Sequence, residues 1–433
     1  MISSALAATL SRRNLHYGWV VAAVTFLTML VTAGALGAPG VFMVPLEKEF
    51  GWSAASISSA LAVRFALFGL MGPFAAAFMN HFGVRRVMVV ALTTVSGGLL
   101  LSVFMNQIWQ LVLLWGVVVG LGTGLTAMVL GATVATRWFA ERRGLVVGML
   151  SASSATGQLV FLPMLASLTE AHGWRVALAF VCGALVIAVL AVFALMRNRP
   201  ADIGLKPYGA KEEVPAAAAP RGLGELLLSP LKILRDVSGD RAFWILFATF
   251  FICGCSTNGL IQTHFISLCG DYGIAPVAAA GVLATMGIFD FFGTIGSGWL
   301  SDRFDNRKLL FWYYGLRGLS LIYLPHSDFT MYGLSVFAVF YGLDWIATVP
   351  PTVKLIADRF GTARSNVVFG WVFAGHQLGA ASAAFGGGLS RTLLSSYLPA
   401  YFTAGVLCIG AALIVMTLAR PGKAGMQPRP AAA

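Results

Sequence analysis

Asn80-His81-Phe82-Gly83-Val84-Arg85-Arg86 and Asp302-Arg303-Phe304-Asp305-Asn306-Arg307-Lys308 lie 222 positions apart and share one plan: a polar start, a phenylalanine and a closing basic pair. Each follows a long apolar run. At the same offset, Arg137-Trp138-Phe139 and Arg359-Phe360-Gly361 end two further apolar runs. Unrelated loops repeating with one shift mark a chain built from two copies of one unit. In a membrane this is the trace of parallel repeats related by an axis along the membrane normal.

The apolar runs around these loops are long and numerous. Of 433 residues, 58% are hydrophobic and 11% charged, against about 25% charged in a soluble domain. Crossing ~30 Å of hydrocarbon takes about 20 apolar residues. Twelve runs qualify, at 17–42, 54–79, 86–105, 109–136, 143–168, 173–196, 242–268, 276–300, 308–325, 329–356, 365–391 and 397–419. The expected fold is an all-α membrane protein with twelve transmembrane helices in two six-helix bundles related by pseudo-two-fold symmetry. Residues 1–196 form the first bundle, 197–240 a linker with Ala and Pro runs, and 241–433 the second bundle with a short tail. A Leu-rich amphipathic stretch at Leu223–Leu234 reads as an interfacial helix within the linker.

Lys and Arg set the orientation. With the N-terminus in the cytoplasm, 24 of the 29 basic residues fall in cytoplasmic segments and three (Lys48, Arg175, Arg391) outside. Both termini are therefore expected in the cytoplasm, Met1 to Leu15 as a short tail, with the chain multi-pass in the inner or plasma membrane. The net charge of +12 is topology and not a nucleic-acid stripe, because the cations sit in short clusters without interleaved stacking aromatics. The five cysteines have no metal-ligand spacing, so neither a metal nor a cofactor is expected. No phosphate-binding Gly-x-x-x-x-Gly-Lys-Ser/Thr stretch supports ATP-driven pumping. No nucleophile–base pair suggests an enzyme.

On these residues the chain resembles the Major Facilitator Superfamily over nearly its whole length. The second loop copy fits that family's signature at Gly298, Asp302, Arg303, Arg307 and Lys308, with Asp305 in place of a glycine. The first keeps Gly83, Arg85 and Arg86 and departs at Ala76, Asn80 and His81. The resemblance implies a gating role for Gly83, Arg85, Arg86, Asp302, Arg303 and Arg307, as contacts that form on one membrane face and break on the other. Trp138-Phe139-Ala140-Glu141-Arg142-Arg143 entering the fifth span, and Tyr17-Gly18-Trp19 opening the first, are similar to the monocarboxylate-porter group and its bacterial relatives. The resemblance also implies that spans 1, 4, 7 and 10 line a cavity and that span 2 meets span 11.

A charge at the bilayer centre costs about 2.5–3.5 kcal/mol, so intramembrane ionisable groups are functional candidates. Four lie near span midpoints: Arg64, Asp290, Arg317 and Asp344. Arg64 is the expected substrate anchor, offering a bidentate fork to a carboxylate, with His376 and Gln377 as uncharged neighbours; the alternatives are an ion pair and a solvated gate contact. Asp290, Asp344 and Arg317 serve either proton coupling or buried ion pairing. Asp290 stands where the monocarboxylate porters place an acid, and Thr294 where they place its arginine. Asn258 with Gln262, and Asp344 with Thr348, are i, i+4 pairs and so share a helix face. Asn258, Gln262 and Thr348 are therefore candidate substrate contacts, or packing glue between helices. The expected protein is a secondary transporter of a small organic anion, a mono- or dicarboxylate, coupled to protons and working as a monomer. The rivals are proton-driven efflux of amphiphiles and a membrane sensor that does not transport.

Overall fold

Hydrocarbon offers no partner to a peptide group, so an apolar run in lipid must close its own backbone hydrogen bonds as a helix. The computed structural model describes residues 2–13, 15–126, 128–210, 223–301 and 303–419. Among these no sheet forms, and one isolated bridge joins Phe139 to Tyr208. The helices are α1 (Ile2–Ser11), α2 (Gly18–Phe50), α3 (Ala54–Phe82), α4 (Val84–Ser102), and α5, assembled from Ile108–Leu111, Val112–Val118, Val119–Thr126 and Met128–Trp138. Then come α6 (Arg143–His172), α7 (Trp174–Leu195), α8 (Leu223–Val237), and α9, assembled from Arg241–Gly254, Cys255–Gln262 and Thr263–Asp271. The last are α10 (Pro276–Ser301), α11 (Asn306–Tyr323), α12 (Met331–Asp344 and Val349–Phe360), α13 (Thr362–Leu394) and α14 (Leu398–Val415).

Among the described residues, nine of these are apolar enough along their length to cross a bilayer on hydropathy alone. The long helices α6, α11 and α13 complete the twelve, and α1 and α8 stand outside the count. The segment expected as a plain N-terminal tail thus carries a helix, and the first span runs eight residues beyond its expected end. Lys48 is accordingly helical rather than in a loop.

The 222-residue repeat governs the whole layout. Ala54 and Val84 open α3 and α4, and Pro276 and Asn306 open α10 and α11 at that offset. Gly51 and Gly273, again 222 apart, both adopt positive φ (69° and 77°) where the first span of each half ends. Ser53 caps α3 by accepting from the Ser56 amide, and Asp240 and Asp305 cap α9 and α11 the same way.

Between the halves, α3 lies along α13 in the most extensive helix pair of the molecule, α6 lies along α10, and α2 meets the last turns of α9. At the end remote from the termini the halves are also joined directly. The Ala55 amide donates to Thr392 Oγ1 at 3.2 Å, and the Tyr397 hydroxyl points at Met43 Sδ.

Small residues let the helix backbones approach. A Cβ on Gly254 of α9 would sit 1.7 Å from the His376 carbonyl of α13, and one on Gly379 would sit 1.9 Å from the Phe251 carbonyl. Alanine ordinarily gains about 1 kcal/mol over glycine in a helix. Here the obstruction is backbone, which cannot rotate away, so overpacking should cost about 1–3 kcal/mol or more. Gly254→Ala and Gly379→Ala are each expected to lower the thermal midpoint of the purified protein. Gly281→Ala, where nothing lies within 4 Å, should leave it unchanged or raise it.

Candidate functional site

The site is built around a gap in α12. Pro350 and Pro351 carry no amide hydrogen, and they sit in the first turn of the helix's second piece, where that lack is tolerated. Its first piece ends at Asp344 and its second begins at Val349. The interruption strips hydrogen bonds from peptide groups that are buried, each worth about 1–3 kcal/mol if left bare.

Three side chains from other helices take them up. Arg317 of α11 donates through Nη2 to the carbonyls of Asp344 and Trp345, the latter at 3.0 Å. Ser297 of α10 donates to the Ala347 carbonyl at 2.5 Å. Asp290 of α10 accepts from the Ile346 amide at 2.9 Å and the Thr294 hydroxyl at 3.0 Å, both on Oδ1. Arg317 also pairs with Asp344 Oδ2 through Nε at 2.7 Å and donates to Cys253 Sγ of α9. Three of the four intramembrane charges therefore meet at one broken helix. Arg317 and Asp344 form the buried ion pair, whereas Asp290 has no cation within ion-pair distance among the described residues.

The break also revises one face argument. Asp344 and Thr348 do not share a continuous helical face, because residues 345–348 form turns. Thr348 is fully buried, and its hydroxyl meets Cys253 Sγ at 3.5 Å. Cys253 was not singled out from the sequence. It links α9, α11 and α12, and a thiol in an apolar run gives no such signal. Asn258 and Gln262 lie in the widened segment Cys255–Gln262, a π-helical turn of the kind that recurs at functional sites. Asn258 is half-buried and Gln262 buried.

Arg64 stands apart from this cluster. It lies on α3, is 2% exposed, and its backbone packs against Gly120 of α5. The guanidinium lies over the Phe65 ring, 4.8 Å from its centroid. Its Nε has no hydrogen-bond partner, and no described carboxylate lies within ion-pair distance.

Across the α3–α13 seam, the Gln377 Cβ packs against Gly69, five residues along α3 from Arg64. Gln377 Oε1 and His376 Nδ1 are likewise buried without partners. His376 Nε2 meets the Thr257 hydroxyl at 3.3 Å, and its ring stacks on Phe373 and lies beside Phe250. Phe373 in turn touches Phe68 of α3 edge-on. The α3–α13 seam thus holds a carbonyl oxygen and a ring nitrogen without partners, and α3 carries, five residues from the Gly69 contact, a guanidinium whose Nε is likewise bare. Each such group in a native interior calls for an explanation.

The loop copies carry matching ties. Gly83 (φ 85°) closes against the Asn198 side chain, which lies 2.7–2.8 Å from where a Cβ would be. The Arg85 amide donates to Asn198 Oδ1 at 3.0 Å, and the Arg85 side chain donates to the Phe193 carbonyl. In the second copy Arg307 pairs with Asp305 at 2.6 Å and donates to the Leu418 carbonyl at 2.7 Å. Arg85 thereby pins its loop to the last helix of the first half, and Arg307 pins its loop to the turn just past the last helix of the second. Hydrogen bonds from Arg307 hold the Asp305 carboxyl below the usual carboxylate range. Arg86 and Arg303 are exposed, Arg303 lying over the Trp299 ring. Asp302 lies outside the described residues.

Comparison with known proteins agrees with this architecture. A profile of the Major Facilitator Superfamily matches residues 24–384. Over 365 residues the chain is 25% identical to the uncharacterized MFS-type transporter YcxA of Bacillus subtilis, covering 82% of this chain and 84% of that one. It is 27% identical over 404 residues to monocarboxylate transporter 13 of Rattus norvegicus, covering 93% and 89%. With monocarboxylate transporter 9 of Mus musculus it shares 33% identity over 202 residues, 46% of this chain and 39% of the relative. Twelve apolar helices in two repeated bundles and a family match across most of the chain lead to one conclusion: the protein belongs to the Major Facilitator Superfamily and is a multi-pass membrane transporter, not an enzyme.

Proposed function

We propose that the protein is a secondary active transporter of a small organic anion, a mono- or dicarboxylate, coupled to protons. In this reading 1–196 and 241–433 rock as two bodies about a midplane site, with both termini in the cytoplasm and the monomer as the working unit. The observation that carries it is Arg64, a buried guanidinium without a carboxylate, on the helix that packs against α13, where Gln377 Oε1 and His376 Nδ1 also lack partners. A fold tolerates such a group when a ligand completes it, and a carboxylate fits the fork of an arginine. The names of the relatives in the monocarboxylate transporter group point the same way. Asn258 and Gln262 supply further polar contacts from α9.

A thermal-shift screen of mono- and dicarboxylates on the purified protein tests the cargo. One class should raise the thermal midpoint of the wild type and not of Arg64→Gln. If no organic anion does so at millimolar concentration while a neutral amphiphile does, the protein is an exporter of amphiphiles. If ligand binds but labelled counterflow is absent from proteoliposomes, it is a sensor.

Asp290 is the proposed proton carrier. It is a buried carboxylate held by two neutral donors instead of a cation. The amide oxygen of an asparagine side chain would still accept from the Ile346 amide and the Thr294 hydroxyl, so Asp290→Asn should fold. It is expected to retain substrate exchange at equal pH and to lose accumulation driven by a pH gradient. Undiminished gradient-driven uptake by Asp290→Asn would remove Asp290 from the coupling path.

A further inference from the structure

The helix α8, in the linker, presents three different faces, and one of them is unaccounted for by the protein itself. Pro230 and Val237 are buried and Ile233 and Leu234 half-buried, and this side packs on α3 and α13, one helix from each half. It is fastened there. Trp371 of α13 donates its indole to the Pro230 carbonyl at 2.9 Å, and just beyond the helix Asp240 pairs with Arg359 of α12 at 2.8 Å. A second side carries Leu227, Leu228 and Leu231, exposed by 45%, 51% and 44%, with Arg235 among them. The third side carries Ser229, Lys232 and Asp236, all exposed.

An amphipathic helix docked on a protein in water needs two faces, one apolar and one polar. The remaining, leucine-lined face is explained by its position. Trp371 is the tenth residue of α13, roughly 14 Å along that helix from its start. The hydrogen bond to Pro230 therefore sets α8 alongside the spans and not on their tips.

We propose that α8 is a lipid-seated strap. Its Leu227–Leu228–Leu231 face lies in the membrane surface, Arg235 meets anionic headgroups, and its inner face bridges the seam between the two halves. The same helix thus reads the lipid surface and holds the α3–α13 seam. The inference does not depend on which solute is carried.

All five native cysteines are buried, so a cysteine introduced on α8 is the reactive thiol. Leu228→Cys and Ser229→Cys, adjacent in sequence but on different faces, would each carry a nitroxide label in vesicles of mixed phosphatidylglycerol and phosphatidylcholine. Collision with oxygen, which partitions into lipid, is compared with collision with a water-soluble nickel chelate. The oxygen-to-nickel ratio is expected to be several-fold higher at 228 than at 229. Equal ratios at the two positions would overturn the proposal, as would shielding of 228 from both reagents, the mark of a protein partner or a second copy on this face. Adding Arg235→Gln should lower the 228 ratio in the mixed vesicles and leave it unchanged in pure phosphatidylcholine. The same response in both lipids would overturn the anionic-headgroup contact. In Trp371→Phe, which lacks the indole donor, the 228 label should become more mobile. Unchanged mobility would overturn the fastening to α13.

Discussion

Arg64→Gln is expected to abolish anion transport while leaving the protein folded, with a thermal midpoint equal to or above that of the wild type. The two halves of this result come from one cause. Without ligand, the Arg64 guanidinium is buried, its Nε is unpartnered, and no described carboxylate offsets its desolvation. Removing an uncompensated charge from an interior relieves a cost instead of adding one. Glutamine keeps a polar tip of similar reach.

With an anion bound, the same guanidinium becomes one half of a buried, hydrogen-bonded charge pair. Truncating one partner of such a pair costs about 2–5 kcal/mol, roughly 30- to 4,000-fold in affinity. Arg64→Lys should fall between the two, retaining the charge but not the planar fork. Measured together, uptake into proteoliposomes and the ligand-induced thermal shift separate the outcomes. Wild-type exchange of an organic anion by Arg64→Gln would end the case for this anchor. A collapse of the fold would mean that the guanidinium is a structural support.

Arg317→Met is expected to do the reverse, destabilising the protein severely whatever the substrate. Arg317 is fully buried and bonds to the Asp344 carboxylate, two main-chain carbonyls at the gap in α12, and Cys253. Its loss leaves a buried carboxylate without its cation, a change worth about 3–5 kcal/mol, and bares the two carbonyls as well. Asp344→Asn should be milder, because an amide oxygen still accepts from Nε and the carbonyls keep their donor. The double variant Arg317→Met/Asp344→Asn should recover part of the loss, since the stranded charge is gone, but not all of it, since the carbonyls remain bare. Detergent-solubilised yield and thermal midpoint across the four proteins give this ordering. A midpoint for Arg317→Met at or above that of Asp344→Asn would show that the guanidinium is not what holds the broken helix.

The sequence by itself determined that this chain lives in lipid, crosses it twelve times and consists of one unit used twice. Those properties are local sums. Twenty apolar residues declare a span wherever they stand, and a constant shift of 222 between Gly83-Val84-Arg85 and Asp305-Asn306-Arg307 survives any packing of the helices. The four intramembrane charges were equally legible as residues, because a charge among apolar neighbours is visible in one dimension.

Their partnerships were not. Arg317 meets Asp344 across 27 positions, and Asp290 meets the Ile346 amide across 56, distances that only helix packing closes. The gap at 345–348 turned an expected shared face of Asp344 and Thr348 into a cluster of caps, and brought in Cys253, which nothing along the chain had marked. Tertiary structure alone decided which cation is satisfied and which is left over. Desolvation is a property of a residue, but its relief is a property of whatever side chain or peptide group arrives opposite it.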